Sequence, residues 1–99
     1  MDFCYKIFNQ DGDRLLAIAD SSIIGKTFEE GNLQIMISKD FYSDKRCNEE
    51  NVIDIMKGAT IINAVGKDII GIMVKENIVD NSMILIIDGV PHAQIVYMK

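Results

Sequence analysis

His92 is the single histidine of the chain and follows its single proline, within Asp88-Gly89-Val90-Pro91-His92-Ala93-Gln94. Imidazole is the side chain whose unperturbed pKa lies closest to neutrality. His92 therefore has the chemistry for a general base, a proton sensor or a ligand contact. Gln94, two residues on, falls on the same strand face. The competing reading is structural: His92 and Gln94 satisfy backbone groups where a closing hairpin meets the helices. Asn63 is an amide set among Ile61, Ile62, Ala64 and Val65. If buried it needs a partner, and the closing hairpin can supply one. No residue near His92 in sequence completes a nucleophile–base–orienter set.

Other chemistries score poorly. Structural zinc takes about four Cys or His ligands, and this chain holds Cys4, Cys47 and His92 without paired spacing. Asp11-Gly12-Asp13 is too short for a calcium loop and lacks its distal glutamate. No metal and no cofactor are expected. Gly25-Lys26-Thr27 matches the end of a phosphate-binding loop, but that loop needs a glycine where Asp20 stands. The acidic, turn-forming Phe28-Glu29-Glu30-Gly31 that follows does not start the required helix. Lys26 remains a candidate surface contact. Cys47 precedes a helix start, where a thiolate gains stability, yet Glu49 and Glu50 oppose that charge.

These residues must be positioned by a small framework. Phe3 to Phe8 alternates as a strand, Asp11-Gly12 supplies a hairpin turn, and Leu15 to Ala19 returns. Asp20 to Gly25 reads as one capped turn, with Asp20 or Ser21 as cap and Gly25 as its end. Thr27 to Asn32 connects to a third strand over Leu33 to Ser38. Lys39 to Cys47 reads as a polar loop pinned by Phe41 and Tyr42. Asn48 opens a helix carrying Val52, Ile53, Met56, Ala59 and Thr60 on one face, which Gly58 weakens without ending. Thr60 to Val65 continues as helix or starts a short second one, and Gly66 ends it. Asp68 opens another helix, stopped at Asn77-Ile78. The continuous apolar run Met83 to Ile87 suits a central strand covered on both sides. Asp88-Gly89 is a second hairpin turn, and Pro91 to Met98 returns. The order β-β-β-α-α-β-β predicts an α+β fold, a mostly antiparallel sheet with helices on one face.

Ninety-nine residues make a single domain, 1–99, with a 48% hydrophobic and 25% charged composition typical of globular chains. Isoleucine far outnumbers leucine, which tilts the chain toward strands. The formal net charge of −5 disfavours phosphate backbones and anionic lipid. No apolar run approaches the roughly 20 residues that span a bilayer. No cationic–apolar leader follows Met1, and the cysteines lack a disulfide pattern, so a cytoplasmic setting is expected.

Several motifs occur in one order: Gly25-Lys26-x-Phe28-x-Glu30-Gly31, Phe41-Tyr42, Ala59-Thr60-Ile61-x-Asn63-x-Val65-Gly66 and Gly89-Val90-Pro91-His92-Ala93-Gln94. Together they resemble the small archaeal proteins of domain-of-unknown-function family 424, over nearly the whole chain. The resemblance implies an archaeal cytoplasmic protein and no particular reaction. It nominates Gly25, Lys26, Asn63, Gly66, Pro91, His92 and Gln94, and its last motif includes Gly89. Glycine and proline can serve backbone geometry alone, which leaves Lys26, Asn63, His92 and Gln94 as contacts. The expected function is a non-catalytic module that binds a protein partner, with translation as a setting. The rival is a small-molecule site or small enzyme with His92 as base and Asn63 and Gln94 orienting a ligand. RNA binding through Lys26, Lys45, Arg46 and Lys67 is a third, disfavoured reading. Self-association through the Ile-rich last hairpin is open.

Overall fold

The protein is described here by a computed structural model covering residues 1–97. Three hairpins with two-residue turns account for most of its strands. Strands β1 (Asp2–Gln10) and β2 (Asp13–Asp20) close at Asp11-Gly12, whose φ angles are 51° and 84°. Strands β3 (Thr27–Glu30) and β4 (Leu33–Met36) close at Gly31-Asn32. Strands β7 (Ile84–Ile87) and β8 (Val90–Val96) close at Asp88-Gly89, with φ angles of 51° and 77°. Positive φ at both turn residues matches the right-handed twist of the flanking strands.

Two further strands, β5 (Lys45–Asn48) and β6 (Ile61–Val65), complete a six-stranded sheet in the order β5-β1-β2-β6-β8-β7. Only β2 and β6 run parallel; the other neighbours are antiparallel. The β3–β4 hairpin is a separate sheet. Helices α1 (Lys39–Tyr42), α2 (Glu49–Met56) and α3 (Lys67–Lys75) complete the fold. The expected α+β class with a mostly antiparallel sheet is what the structure has.

Alternation divides the large sheet into two faces. Leu16, Ile18, Ile62, Ala64, Ala93 and Ile95 meet Val52 and Met56 of α2 and Ile69 and Met73 of α3. Ala17, Ala19 and Val65 point to the opposite face, where Ile37, Tyr42, Phe28 and Ile35 lie over them. The two alanines leave room for those larger side chains to approach the sheet.

Several expectations are corrected. Residues 60–65 form no helix: Gly58, at φ 83°, ends α2 near Met56, and Ile61 to Val65 becomes the strand beside β2. Gly66 precedes α3 rather than ending a helix. Thr27 to Glu30 is a strand, and the polar 39–47 stretch holds α1 and part of β5. Phe41 and Tyr42 of α1 pack on the face opposite α2 and α3, so helical structure lies on both sides. The apolar run Met83 to Ile87 is not central: β7 ends the sheet, with Leu85 and Ile86 exposed. The predicted return to Met98 ends at Val96, and Met98 lies outside the described residues. The stop at Asn77-Ile78 is present, with Asn77 at φ 58° and Ile78 N–H donating to Met73 C=O at 2.8 Å. This is the left-handed helix ending with its hydrophobic contact.

Asp20 joins the two halves of the chain. It does not cap the turn beside it. Its carboxylate, 6% exposed, accepts from the backbone N–H of Asp68 at 3.0 Å and of Ile69 at 2.9 Å. It therefore satisfies two orphan donors at the start of α3 and places negative charge at the positive end of that helix. Gly66 is what lets it approach. A Cβ there would lie 2.3 Å from the Asp20 Cγ, and its φ of 126° is a glycine conformation. Gly66 N–H also donates to Pro91 C=O at 2.9 Å, tying β8 to the same junction. Burial raises the Asp20 pKa, the two amide bonds oppose that rise, and neighbouring Asp68 adds to it. The ionised cap is thus held against a desolvation cost.

Asp20→Ala is expected to cost about 2 kcal/mol in urea unfolding, from lost capping and stranded buried amides. Asp20→Asn, which keeps one acceptor, should cost less. Gly66→Ala should cost more than about 2 kcal/mol alone, yet markedly less in an Asp20→Ala background, where the clashing atoms are gone. Additive losses would contradict the close approach.

Candidate functional site

The register of β6 against β8 sets Asn63 directly opposite Gln94, and Val65 opposite His92. Asn63, Gln94 and His92 consequently share one sheet face. An opposed pair has Cβ atoms about 4.5–5.5 Å apart, and the diagonal neighbour stands about 7–8 Å away. The predicted juxtaposition of the imidazole with the two amides is therefore a consequence of strand pairing. Asn63 and His92 are half-buried and Gln94 is exposed. No side-chain hydrogen bond among the described residues links the three to one another. Burial pushes the His92 pKa below its ordinary 6.5, so the ring is predominantly neutral at pH 7.

Neighbouring strands extend this face. Leu85 is paired with His92, and Val96 follows Gln94 by two residues; they are 48% and 59% exposed. The result is an uncharged surface of two amides and an imidazole flanked by large apolar side chains in water. None of five surface clefts is lined by Asn63, His92 or Gln94.

Lys26 is not brought into contact with the three. Its backbone is fixed, with its N–H donating to Ile23 C=O at 3.1 Å and its C=O accepting from Ile37 N–H at 2.9 Å. Ile23, Ile24 and Ile37 of that segment pack on the same sheet face, but Lys26 itself is exposed. The remaining motif positions have backbone roles. Gly25 has φ 86° and donates to Ile37 C=O at 2.7 Å. Gly89 completes the last turn, and Gly66 and Pro91 meet at the Asp20 junction.

Sequence reasoning missed a cleft of about 350 Å³ at the turn end of the first hairpin. Phe8, Leu15, Phe41 and Ile61 line its apolar side, and Gln10, Asp11 and Asp13 its polar side. Phe8 and Phe41 stack there at 5.3 Å between centroids. The signal available was the phase of β1, which puts Phe8 on the face that α1 covers.

The cysteines lie in two different surroundings. Cys4 Sγ is 3.3 Å from Ser21 Oγ. Burial first, then Asp2 and Cys4, pushes the Cys47 thiol up to about 11, so it is protonated at neutral pH. Arg46 pairs with Asp2 at 2.8 Å on an exposed edge. Lys45 and Arg46 sit on β5 and Lys67 on α3 beside β7, at opposite edges of the sheet. No group of three or more His, Cys, Asp or Glu arranged for a metal occurs among the described residues. No helix among them is long and apolar enough to cross a membrane.

An α+β domain with an open, uncharged sheet face is the class these observations define. The chain belongs to the family described as "Protein of unknown function (DUF424)", whose model matches residues 8–98. A crystal structure of an uncharacterized conserved protein from the archaeon Methanopyrus kandleri has the same fold, with a TM-score of 0.83 at 21% identity. The alignment covers all of this chain and 96% of that one. No curated protein matches the chain.

His92 generates a pH prediction. With a folded pKa below the unfolded value, the unfolded state binds more protons as pH drops through 6.5, so this residue lowers stability on the acid side. NMR titration should place the His92 pKa below 6.5. The urea midpoint should fall from pH 7 toward pH 5, and His92→Gln should flatten part of that slope. A His92 pKa above 6.5 would contradict the half-buried position.

Proposed function

We propose that this protein is a non-catalytic binding module that docks a protein partner on the open β6–β8–β7 face. The observation that carries this reading is the pairing of half-buried, uncharged polar groups with large apolar side chains exposed beside them. Asn63, His92 and Gln94 supply directional hydrogen bonding without the desolvation cost of full charges. Leu85 and Val96 supply apolar area that a partner removes from water. Depletion of charge at the centre of a patch is the compositional mark of interface cores. The proposed setting is the cytoplasm of an archaeal cell, and translation components are the first partners to seek.

The shared face of His92, Asn63 and Gln94 also supports a second reading, in which the three hold a small molecule. Asn63 and Gln94 would then orient a ligand against a neutral imidazole.

Affinity capture with the tagged full chain from an archaeal lysate tests the first reading. One reproducible protein partner is expected, reduced at least tenfold by the double variant Gln94→Arg/Val96→Glu. Both positions are exposed, so the unfolding free energy of that variant in urea should stay within about 0.5 kcal/mol of the parent. An empty capture, or one indifferent to the double variant, removes this reading.

A further inference from the structure

Helix α3 packs Ile69 and Met73 on the inner strands and leaves the last strand partly uncovered. β7 pairs Ile84 with Ala93 and Ile86 with Pro91. Ala93 belongs to the helix-covered core, so strand alternation puts Ile84 and Ile86 on that same side. A cleft of about 440 Å³ lies there between α3 and β7. Ile70 and Val74 of α3 supply one wall, and Ile84, Ile86 and Pro91 the other. Val74 and Ile86 remain 39% and 57% exposed. Small-molecule sites have volumes of this order and a similarly apolar lining.

Gly71 of α3 also lines this cleft. It is the one glycine of the chain that is not at positive φ, so no turn or left-handed conformation calls for it. A Cβ placed there meets nothing within 4 Å, so no neighbour in the chain excludes a side chain either. Glycine weakens a helix interior relative to alanine. What its bare backbone does provide is open space along α3, the use glycine serves where a ligand comes close.

Two polar side chains complete the lining, Lys67 and Asn81, and Lys67 is its one ionisable residue. Among the described residues, no hydrogen bond or ion pair engages either side chain. Glu49 and Asp68 border a separate cleft with Lys67, not this one. Gly66 is bonded to Pro91, and Pro91 opposes Ile86, so Lys67 stands at the Ile86 end. Asn81 leads into Ile84 at the other end. From Lys67 to Val74 the helix advances roughly 10 Å, comparable with an extended octanoate chain. We propose that this cleft binds a linear aliphatic carboxylate, with its charged end at Lys67 and its chain over Gly71 between Val74 and Ile86. Charge selects this occupant: the ammonium attracts a carboxylate, repels an amine and gains little from an alcohol. The net charge of −5 acts against any anion at long range, but salt screens that repulsion more than the short contact with Lys67. The cleft lies on the opposite side of the sheet from Asn63, His92 and Gln94, so it stands or falls separately from the proposed docking face.

NMR titration of the full chain with sodium octanoate, at pH 7 and fixed ionic strength, tests the proposal. A dissociation constant on the order of 0.1–1 mM is expected for a ligand of about ten heavy atoms. Shifts should centre on the amides of Gly71, Val74 and Ile86. Octylamine should bind at least tenfold more weakly than octanoate, and octanol about fivefold more weakly. Lys67→Met keeps an apolar stem, so it should weaken octanoate about fivefold, the scale of an exposed ion pair, and leave octanol unchanged. Gly71→Leu should weaken octanoate and octanol at least tenfold while keeping the urea midpoint at or above that of the parent, since leucine is the better helix former. Gln94→Arg/Val96→Glu should leave octanoate binding as it is. The absence of saturable binding up to about 10 mM octanoate overturns the proposal. Equal binding of octylamine or octanol does so too, as does octanoate binding indifferent to Gly71→Leu or lost through Gln94→Arg/Val96→Glu.

Discussion

The carboxylate of Asp20 is the constraint on which the architecture turns. It lies at the end of β2, yet its partners are the first amides of α3, 48 and 49 positions further along. Gly66 must lack a side chain for that contact to form, and its own N–H reaches Pro91 at the start of β8. One buried anion therefore fixes the end of the first hairpin, the exit of β6, the start of α3 and the entry of the closing hairpin. The parallel pairing of β2 with β6 follows naturally, because both strands deliver their C-terminal ends to this junction. Desolvation disfavours the ionised form and raises the Asp20 pKa, while the two amide bonds oppose that rise.

Placement of the candidate surface descends from the same junction. With Gly66 and Pro91 bonded, the register of β6 on β8 is set, and Asn63 must oppose Gln94. A slip of one residue would turn His92 and Gln94 onto the helix-covered face. That face is filled by Ile62, Ala64, Ala93 and Ile95 against α2 and α3 and has no room for polar groups. The opposite face is roofed by α1 and, over Val90 at the start of β8, by the β3–β4 hairpin, while Leu85, Gln94 and Val96 beyond them are exposed.

Much of this framework is legible in the chain itself. Asp11-Gly12 and Asp88-Gly89 announce two hairpins because positive φ at both turn residues suits few other residue pairs. Asn77-Ile78 announces the end of α3 for the same reason. The polar trio was legible as candidates, and alternation put His92 with Gln94, but their alignment with Asn63 depended on register, which no local signal carries. Residues 61–65 misled because five residues cannot distinguish strand from buried helix by periodicity. Gly66 misled because a left-handed glycine serves a helix start packed on a carboxylate as well as a helix end. The role of Asp20 was hidden because its partners are distant in sequence. β7 misled differently: an apolar run implied burial on both sides, while the strand lies at the end of the sheet with Leu85 and Ile86 exposed.

Native-state hydrogen exchange at the amides of Asp68 and Ile69 tests the junction most directly. If Asp20 holds them as described, both exchange only through opening of the whole molecule, at rates matching the slowest amides of β6, although they lie in the first turn of a helix. Exchange at the rate of an ordinary fraying helix start would mean that the carboxylate does not bind them, and the account of how this sheet is assembled and its open face presented would fail.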